Sequence, residues 1–278
     1  MTYNQLLSNI KKLQELGLQC GSIGNTVLGR QIPYIKIGDG DNNIILQAAI
    51  HAREYATCAL ALMQAKYLSR QNIEGFSIYI VPMLNPDGVE ISINGLDSVK
   101  STYIKDKLFI VNGSLDFVDF KANANCVDLN TNFDARWGHG KSNINFPSIQ
   151  NFVGYFPHDQ VETRAIVSLT NYLKPKATLS YHSRGREIYW DFFASPKNIA
   201  RDLAIAEKLA SNIRYTLSSS QESSAGGYKD WCIQQFGIPS FTIEFFDSKA
   251  EYPISREMIV EEFERTKDIV KSLLEYLK

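Results

Sequence analysis

Apolar residues at Leu6, Leu7, Ile10, Leu13 and Leu16 recur every three or four positions, the spacing of one helix face. Thr2 precedes them as a candidate N-cap and Gly17 follows as a stop, so the chain is expected to open with a helix. The period then changes. Residues 32–37, 44–50 and 76–82 are short runs rich in Ile, Val and Tyr, which predicts strands, and the last two bracket a helical pattern over residues 56–69. Strand, helix, strand is the signature of a parallel crossover, and near-continuous apolar strands imply a sheet covered on both faces. Helices are expected again over residues 161–173, 199–217 and 254–277, the last as one long amphipathic element, with buried strands over 177–181 and 240–246. Residues 85–152 are rich in Gly, Asn and Asp and carry little periodicity, which points to a long functional loop region.

No repeat, low-complexity tract or linker interrupts this pattern, so one α/β domain over residues 1–278 is the simplest organisation. A hydrophobic content of 44% in 278 residues supports a substantial core and excludes a disordered chain. Lys+Arg 29 against Asp+Glu 30 leaves a net charge of -1, so the whole-chain balance carries no footprint for nucleic acid or an anionic membrane. The apolar runs are too short to span a bilayer. No basic cluster followed by a long apolar core is visible at the amino terminus, and the expected location is the cytoplasm. Cys20, Cys58, Cys126 and Cys232 are scattered without a C-x-x-C pair, which argues against a thiolate zinc site and a disulfide framework.

Ligands in open α/β sheets gather beyond the carboxyl ends of strands. Three apolar runs end in chemistry there. His51-Ala52-Arg53-Glu54 follows the run at 44–50, His182 follows Tyr181, and Glu244 lies within Thr242-Ile243-Glu244-Phe245. His and Glu three positions apart on a turn can aim nitrogen and oxygen at one point, a donor pair that Zn2+ accepts. With His182 the set is that of a hydrolytic zinc site, and Glu244 is a spare carboxylate. A Glu in an apolar strand is costly without compensation; pairing with an Arg or Lys is the structural alternative to a catalytic role.

Five segments in order now carry a resemblance: His51-Ala52-Arg53-Glu54, Asn85-Pro86-Asp87-Gly88, Val127-Asp128-Leu129-Asn130, Tyr181-His182-Ser183, and Ser224-Ala225-Gly226-Gly227 leading through Asp230-Trp231 to Thr242-Ile243-Glu244. Over nearly its whole length the chain resembles zinc carboxypeptidases of the carboxypeptidase A type. The resemblance implies a single α/β domain with a twisted mixed sheet between helices, and one Zn2+ held by His51, Glu54 and His182. It implies that the metal lowers the pKa of a water towards about 7 and that Glu244 serves as general base. It also implies a turn at Asn85-Pro86-Asp87-Gly88 under the site, where Asp87 either supports a ligand histidine or is an ordinary turn aspartate.

Three departures bear on substrate. The family places Asn then Arg where a C-terminal carboxylate is recognised, whereas here Asn130 is followed by Thr131, and the bidentate fork is lost. Glu222 falls where carboxypeptidases carry a mobile tyrosine, with Tyr228 close enough in sequence to substitute. Lys121 occupies the position of the arginine that polarises the scissile carbonyl, where it would act as a point charge. With Asn130-Thr131-Asn132-Phe133-Asp134-Ala135 and Gly226-Gly227-Tyr228-Lys229-Asp230-Trp231, these features are similar to the bacterial branch that cleaves γ-D-glutamyl-diaminopimelate bonds in peptidoglycan peptides.

Several carboxylates on such a substrate call for cations placed elsewhere. Arg53, Arg184, Arg186 and Arg136 are the candidates, with Arg53 and Arg184 favoured; His139 and His158 read as loop histidines. The expected function is therefore zinc-dependent hydrolysis of γ-D-glutamyl-diamino acid bonds, in a soluble muropeptide fragment or a spore-compartment precursor. The alternatives are a conventional metallocarboxypeptidase acting on α-linked peptides and a catalytically silent binder of cell-wall peptide, against which the retention of Glu244 argues.

Overall fold

The computed structural model describes residues 1–219 and 225–278. The chain opens with α1 (Tyr3–Glu15), whose start is held by a capping box: the Thr2 hydroxyl accepts from the Gln5 amide while the Gln5 side chain accepts from the Thr2 amide. β1 (Gln19–Asn25), β2 (Gln31–Ile37) and β3 (Asn42–Ala48) follow, then α2 (Ala56–Leu68), β4 (Phe76–Val81), α3 (Pro86–Asn94) and α4 (Thr102–Asn112). The second half supplies α5 (Val161–Leu173), β5 (Ala177–Ser183), β6 (Glu187–Tyr189), α6 (Pro196–Ile213) and β7 (Thr216–Ser218). It ends with α7 (Tyr228–Phe236), β8 (Ser240–Phe245), α8 (Arg256–Thr266) and α9 (Ile269–Leu277).

The strands form one mixed sheet in the order β1-β2-β4-β3-β5-β8-β6-β7. Its centre, β4-β3-β5-β8, is parallel, and the flanking β2 and β6 run antiparallel to it. Helices cover both faces, as the apolar strands require. On β3, Ile44, Leu46 and Ala48 pack with Leu6 of α1, Leu60 of α2, Leu209 of α6 and Leu273 of α9, while Ile45 points the other way to Ile166 of α5 and Trp231 of α7. This period-two partition buries both sides of the strand. A smaller cluster built on Ile91, Leu108, Phe117 and Phe120 supports the long region after β4.

The structure corrects four expectations. Residues 85–152 are not wholly loop, for α3 and α4 lie inside them. Pro86-Asp87-Gly88 reads as a turn but forms the first turn of α3, with Asn85 as its cap accepting from the Gly88 amide at 2.9 Å. α4 buries only Leu108, so it shows no amphipathic stripe. The helix expected over 199–217 stops at Ile213, where Arg214 turns left-handed (φ 60°), and its tail becomes edge strand β7 beside β6. The helix expected over 254–277 is two helices, because the Lys267 carbonyl leaves the ladder to accept from Gln64 Nε2 on α2 at 3.0 Å. Among the described residues no helix is long and apolar enough to cross a membrane.

Candidate metal centre and active site

The centre is assembled at the carboxyl ends of the parallel strands. β3 ends at Ala48, and a single 3-10 turn, Ala52–Glu54, then folds the chain so that His51 and Glu54 face each other, Nδ1 to Oε1 at 2.9 Å. Thr57 fixes this turn by donating to the Glu54 carbonyl at 2.7 Å and accepting from the Ala49 amide at 3.0 Å. The neighbouring strand β5 delivers His182, whose Nδ1 lies 3.2 Å from Glu54 Oε2 and 3.2 Å from His51 Nδ1. Donor atoms of His51, Glu54 and His182 all fall within 4.8 Å of one another, and all three residues are buried.

Asp128 completes this centre from the long region. Its Oδ1 lies 3.2 Å from His51 Nε2, so the Nε2 hydrogen points at Asp128 and the Nδ1 lone pair points inward. With His51 neutral in that tautomer, two imidazole nitrogens and a carboxylate oxygen crowd together with more lone pairs than protons, an arrangement relieved by a proton or by a bound cation. This N,N,O set fits Zn2+. Burial disfavours the charged form of His51, but Glu54 and then Asp128 outweigh it and raise its pKa to about 8. Burial likewise opposes ionisation of Glu54 and Asp128; the facing histidines win and hold both carboxyls well below the usual range. His182 goes the other way, lowered chiefly by burial.

Glu244 sits directly opposite His182 in the β5–β8 register, and paired parallel residues project to one face of the sheet. It is half-buried, and burial first, then the Glu54 charge, pushes its carboxyl up to about 8. The charge of Lys121 acts on Glu244, His51, His182 and Asp128 alike, so its ammonium lies within electrostatic reach of the whole centre. A backbone link explains that placement: the Lys121 carbonyl accepts from the Ala52 amide at 3.0 Å, which ties the long region to the ligand turn.

The remaining candidates divide. Arg53 and Arg184 both reach Tyr252, each guanidinium carbon 5.2 Å from its ring centroid. Asn130 is half-buried, its side-chain oxygen accepting from the Tyr228 amide at 3.2 Å. Thr131 is buried, and its hydroxyl donates to the carbonyls of Asp128 at 2.9 Å and Phe152 at 3.2 Å, which commits it to the backbone. Tyr228 is a correction: its ring is fully buried between Phe133 and Trp231 and its hydroxyl meets Thr170 at 2.8 Å, so it packs α7 onto α5 instead of facing a substrate. Glu222 lies outside the described residues.

Arg186 pairs with Glu262 at 2.9 Å, Arg136 lies over the Phe193 ring, and His158 Nε2 accepts from the Asp134 amide at 3.0 Å. His139 is exposed. Asp87 supports no ligand histidine. It accepts from Arg30 and from the Leu28 amide, each at 2.7 Å, and it is Asp128 that faces His51. Residue type hides that difference, although Asp128 between apolar Val127 and Leu129 is a buried acid legible in the sequence. Tyr252, in a stretch without periodicity, left no such mark.

Strand-end donors of this kind on a mixed α/β sheet define a metal-dependent hydrolase. The chain belongs to the zinc carboxypeptidase family, a family of metallopeptidases, whose profile matches residues 3–269. It is 35% identical to gamma-D-glutamyl-L-diamino acid endopeptidase 1 of Lysinibacillus sphaericus, covering 91% of this chain and 67% of that protein. With carboxypeptidase A1 of Rattus norvegicus the identity is 26%, over 81% of this chain and 57% of the relative. The chain thus spans between about half and seven tenths of the length of the curated relatives it matches. In fold it resembles bovine thrombin-activatable fibrinolysis inhibitor, with a TM-score of 0.80 at 20% identity over 100% of this chain and 97% of that one. Murein-tripeptide amidase of Escherichia coli O157 superposes with a TM-score of 0.60 at 22% identity over 92% and 91% of the two chains.

Proposed function

We propose that the protein hydrolyses the γ-D-glutamyl-diamino acid bond of peptidoglycan-derived peptides with one Zn2+ held by His51, Glu54 and His182. The observation that carries the hydrolytic part is the convergence of those three donors on the row of the sheet that also bears Glu244. When bound, the metal supplies Lewis-acid polarisation and a water acidic enough to attack at neutral pH. Asp128 holds the His51 imidazole in the tautomer that keeps Nδ1 free for the metal. Glu244, which the charge of a bound cation would hold ionised despite its burial, takes the proton of the attacking water and returns it to the leaving amine. Lys121 stabilises the negative charge that develops on the scissile oxygen, as a point charge in place of a fork.

The choice of substrate rests on two further observations. The relative from Lysinibacillus sphaericus is named for cleavage of a γ-D-glutamyl-L-diamino acid bond. At Thr131 a short hydroxyl turned to the backbone leaves no guanidinium fork at that position for the terminal carboxylate of an α-linked peptide. Soluble muropeptide fragments are the substrates this reading favours. Incubation of the purified protein with γ-D-glutamyl-meso-diaminopimelate peptides and with α-linked peptides, each with and without a chelator, tests it. Release of the diamino acid that stops on chelation and returns with Zn2+ is the expected result, together with a loss of about 100–10,000-fold in kcat for Glu244→Gln at unchanged zinc content. Turnover that ignores the chelator, or cleavage confined to α-linked peptides, refutes the proposal.

A further inference from the structure

We propose that Tyr252 is a positioning residue that joins a carboxylate receptor, made by Arg53 and Arg184, to the metal donors. The anion received is the α-carboxylate that a γ-linked glutamyl residue leaves free. The inference rests on the substrate reading above and deepens it. Both guanidinium carbons lie 5.2 Å from the Tyr252 ring centroid, within range for attraction to an aromatic face. Two cations gathered on one ring repel each other unless an anion joins them. Little among the described residues does so: there Arg53 Nη1 reaches only the exposed Asp119, at 3.3 Å, and Arg53 Nε is buried without a hydrogen-bond partner. Arg184 is exposed and has no ion-pair partner among the described residues. N–H groups from two planar guanidiniums, one of them carrying a buried Nε without a partner among the described residues, suit the two oxygens of a carboxylate.

The same tyrosine reaches the metal donors through its other end. Its hydroxyl donates to the Ser183 carbonyl at 2.8 Å and lies 3.2 Å from the Ser183 hydroxyl, and the Ser183 amide donates to Glu54 Oε2 at 3.1 Å. Ring and hydroxyl therefore have separable tasks, one toward the cations and one toward the Glu54 carboxylate. The chemistry of a γ-linked bond explains why the two belong together. The scissile carbonyl is the side-chain carbonyl of the glutamyl residue, so its α-carboxylate remains ionised two methylenes and one methine away. An α-linked residue other than glutamate has no anion at that distance.

The test compares two peptides that differ only in that group: γ-D-glutamyl-meso-diaminopimelate and its α-carboxamide. Wild type is expected to favour the carboxylate by about 10–100-fold, mainly in KM, the scale of a charge-assisted hydrogen-bond pair. Tyr252→Leu, which removes the ring, should bring the ratio toward one. Tyr252→Phe should keep the ratio while kcat and zinc affinity fall, since only the link to Ser183 and Glu54 is lost. Arg184→Gln, a change at an exposed side chain, should also lower the ratio and keeps the test decisive should Tyr252→Leu fail to fold. Equal turnover of both peptides by wild type, or an undiminished ratio in Tyr252→Leu and Arg184→Gln, overturns this inference while leaving the γ-glutamyl reading intact. Turnover of neither peptide beside turnover of α-linked ones overturns both.

Discussion

Asp87 and Asp128 show how much a single side chain depends on its surroundings. Both are buried aspartates in motifs on the same long stretch, yet one answers Arg30 and the other His51. If Asp128 sets the tautomer of His51, Asp128→Asn should weaken zinc binding by about 10–100-fold, the usual cost of losing an outer partner of a ligand histidine. Competition with a chromogenic chelator reads this directly. Asp87→Asn should instead leave zinc affinity where it was and cost stability, since it strips Arg30 of its buried partner. Tyr228 makes a related point: an aromatic near a site in sequence is claimed by the core once α7 docks on α5.

Elements in this protein end where another element competes for their backbone. α8 and α9 would read as one amphipathic helix but for Gln64 drawing off the Lys267 carbonyl, and a side chain from residue 64 has no signature at residue 267. The first turn of α5 offers the clearest test at this scale. Glu162 is fully buried there, accepting from the Val27 amide and the Asn123 side chain. Burial, with the Asp87 charge adding to it, raises its pKa from the ordinary 4.5 to about 7. In the interval between those values the folded protein keeps a proton that the unfolded chain has released, so this group's contribution to stability declines as pH rises from about 4.5 to about 7. Glu162→Gln abolishes that titration. Thermal melts should show the variant gaining on wild type across that interval, by up to about 3 kcal/mol above it, with the advantage shrinking toward pH 4. A gap between the two proteins that does not change with pH counts against this account.

Across the whole molecule, the candidate metal centre joins segments far apart in the chain: the turn after β3, the end of β5, the end of β8 and the long region that brings Lys121 and Asp128. Cation binding to the folded form alone therefore stabilises all of them together. Chelation is expected to lower the melting temperature by several degrees in wild type and to have no effect on Glu54→Gln, which differential scanning calorimetry can measure.

Periodicity alone determined the central architecture, because a strand buried on both faces and a helix with one apolar stripe each leave a repeat in the order of residues. The donors His51, Glu54, His182 and the adjoining Glu244 were legible for a related reason: costly polar groups at the ends of apolar runs stand out against them. What has no local repeat escaped. The short strands β6 and β7 at one side of the sheet, the exposed helix α4 and the break between α8 and α9 exist because of partners distant in sequence. Only the tertiary structure decided that Asp128 instead of Asp87 faces His51, that Tyr228 belongs to the core, and that Tyr252 meets both arginines. Such contacts depend on where separate segments meet in space, and the free energy that selects among them is not written in any one segment.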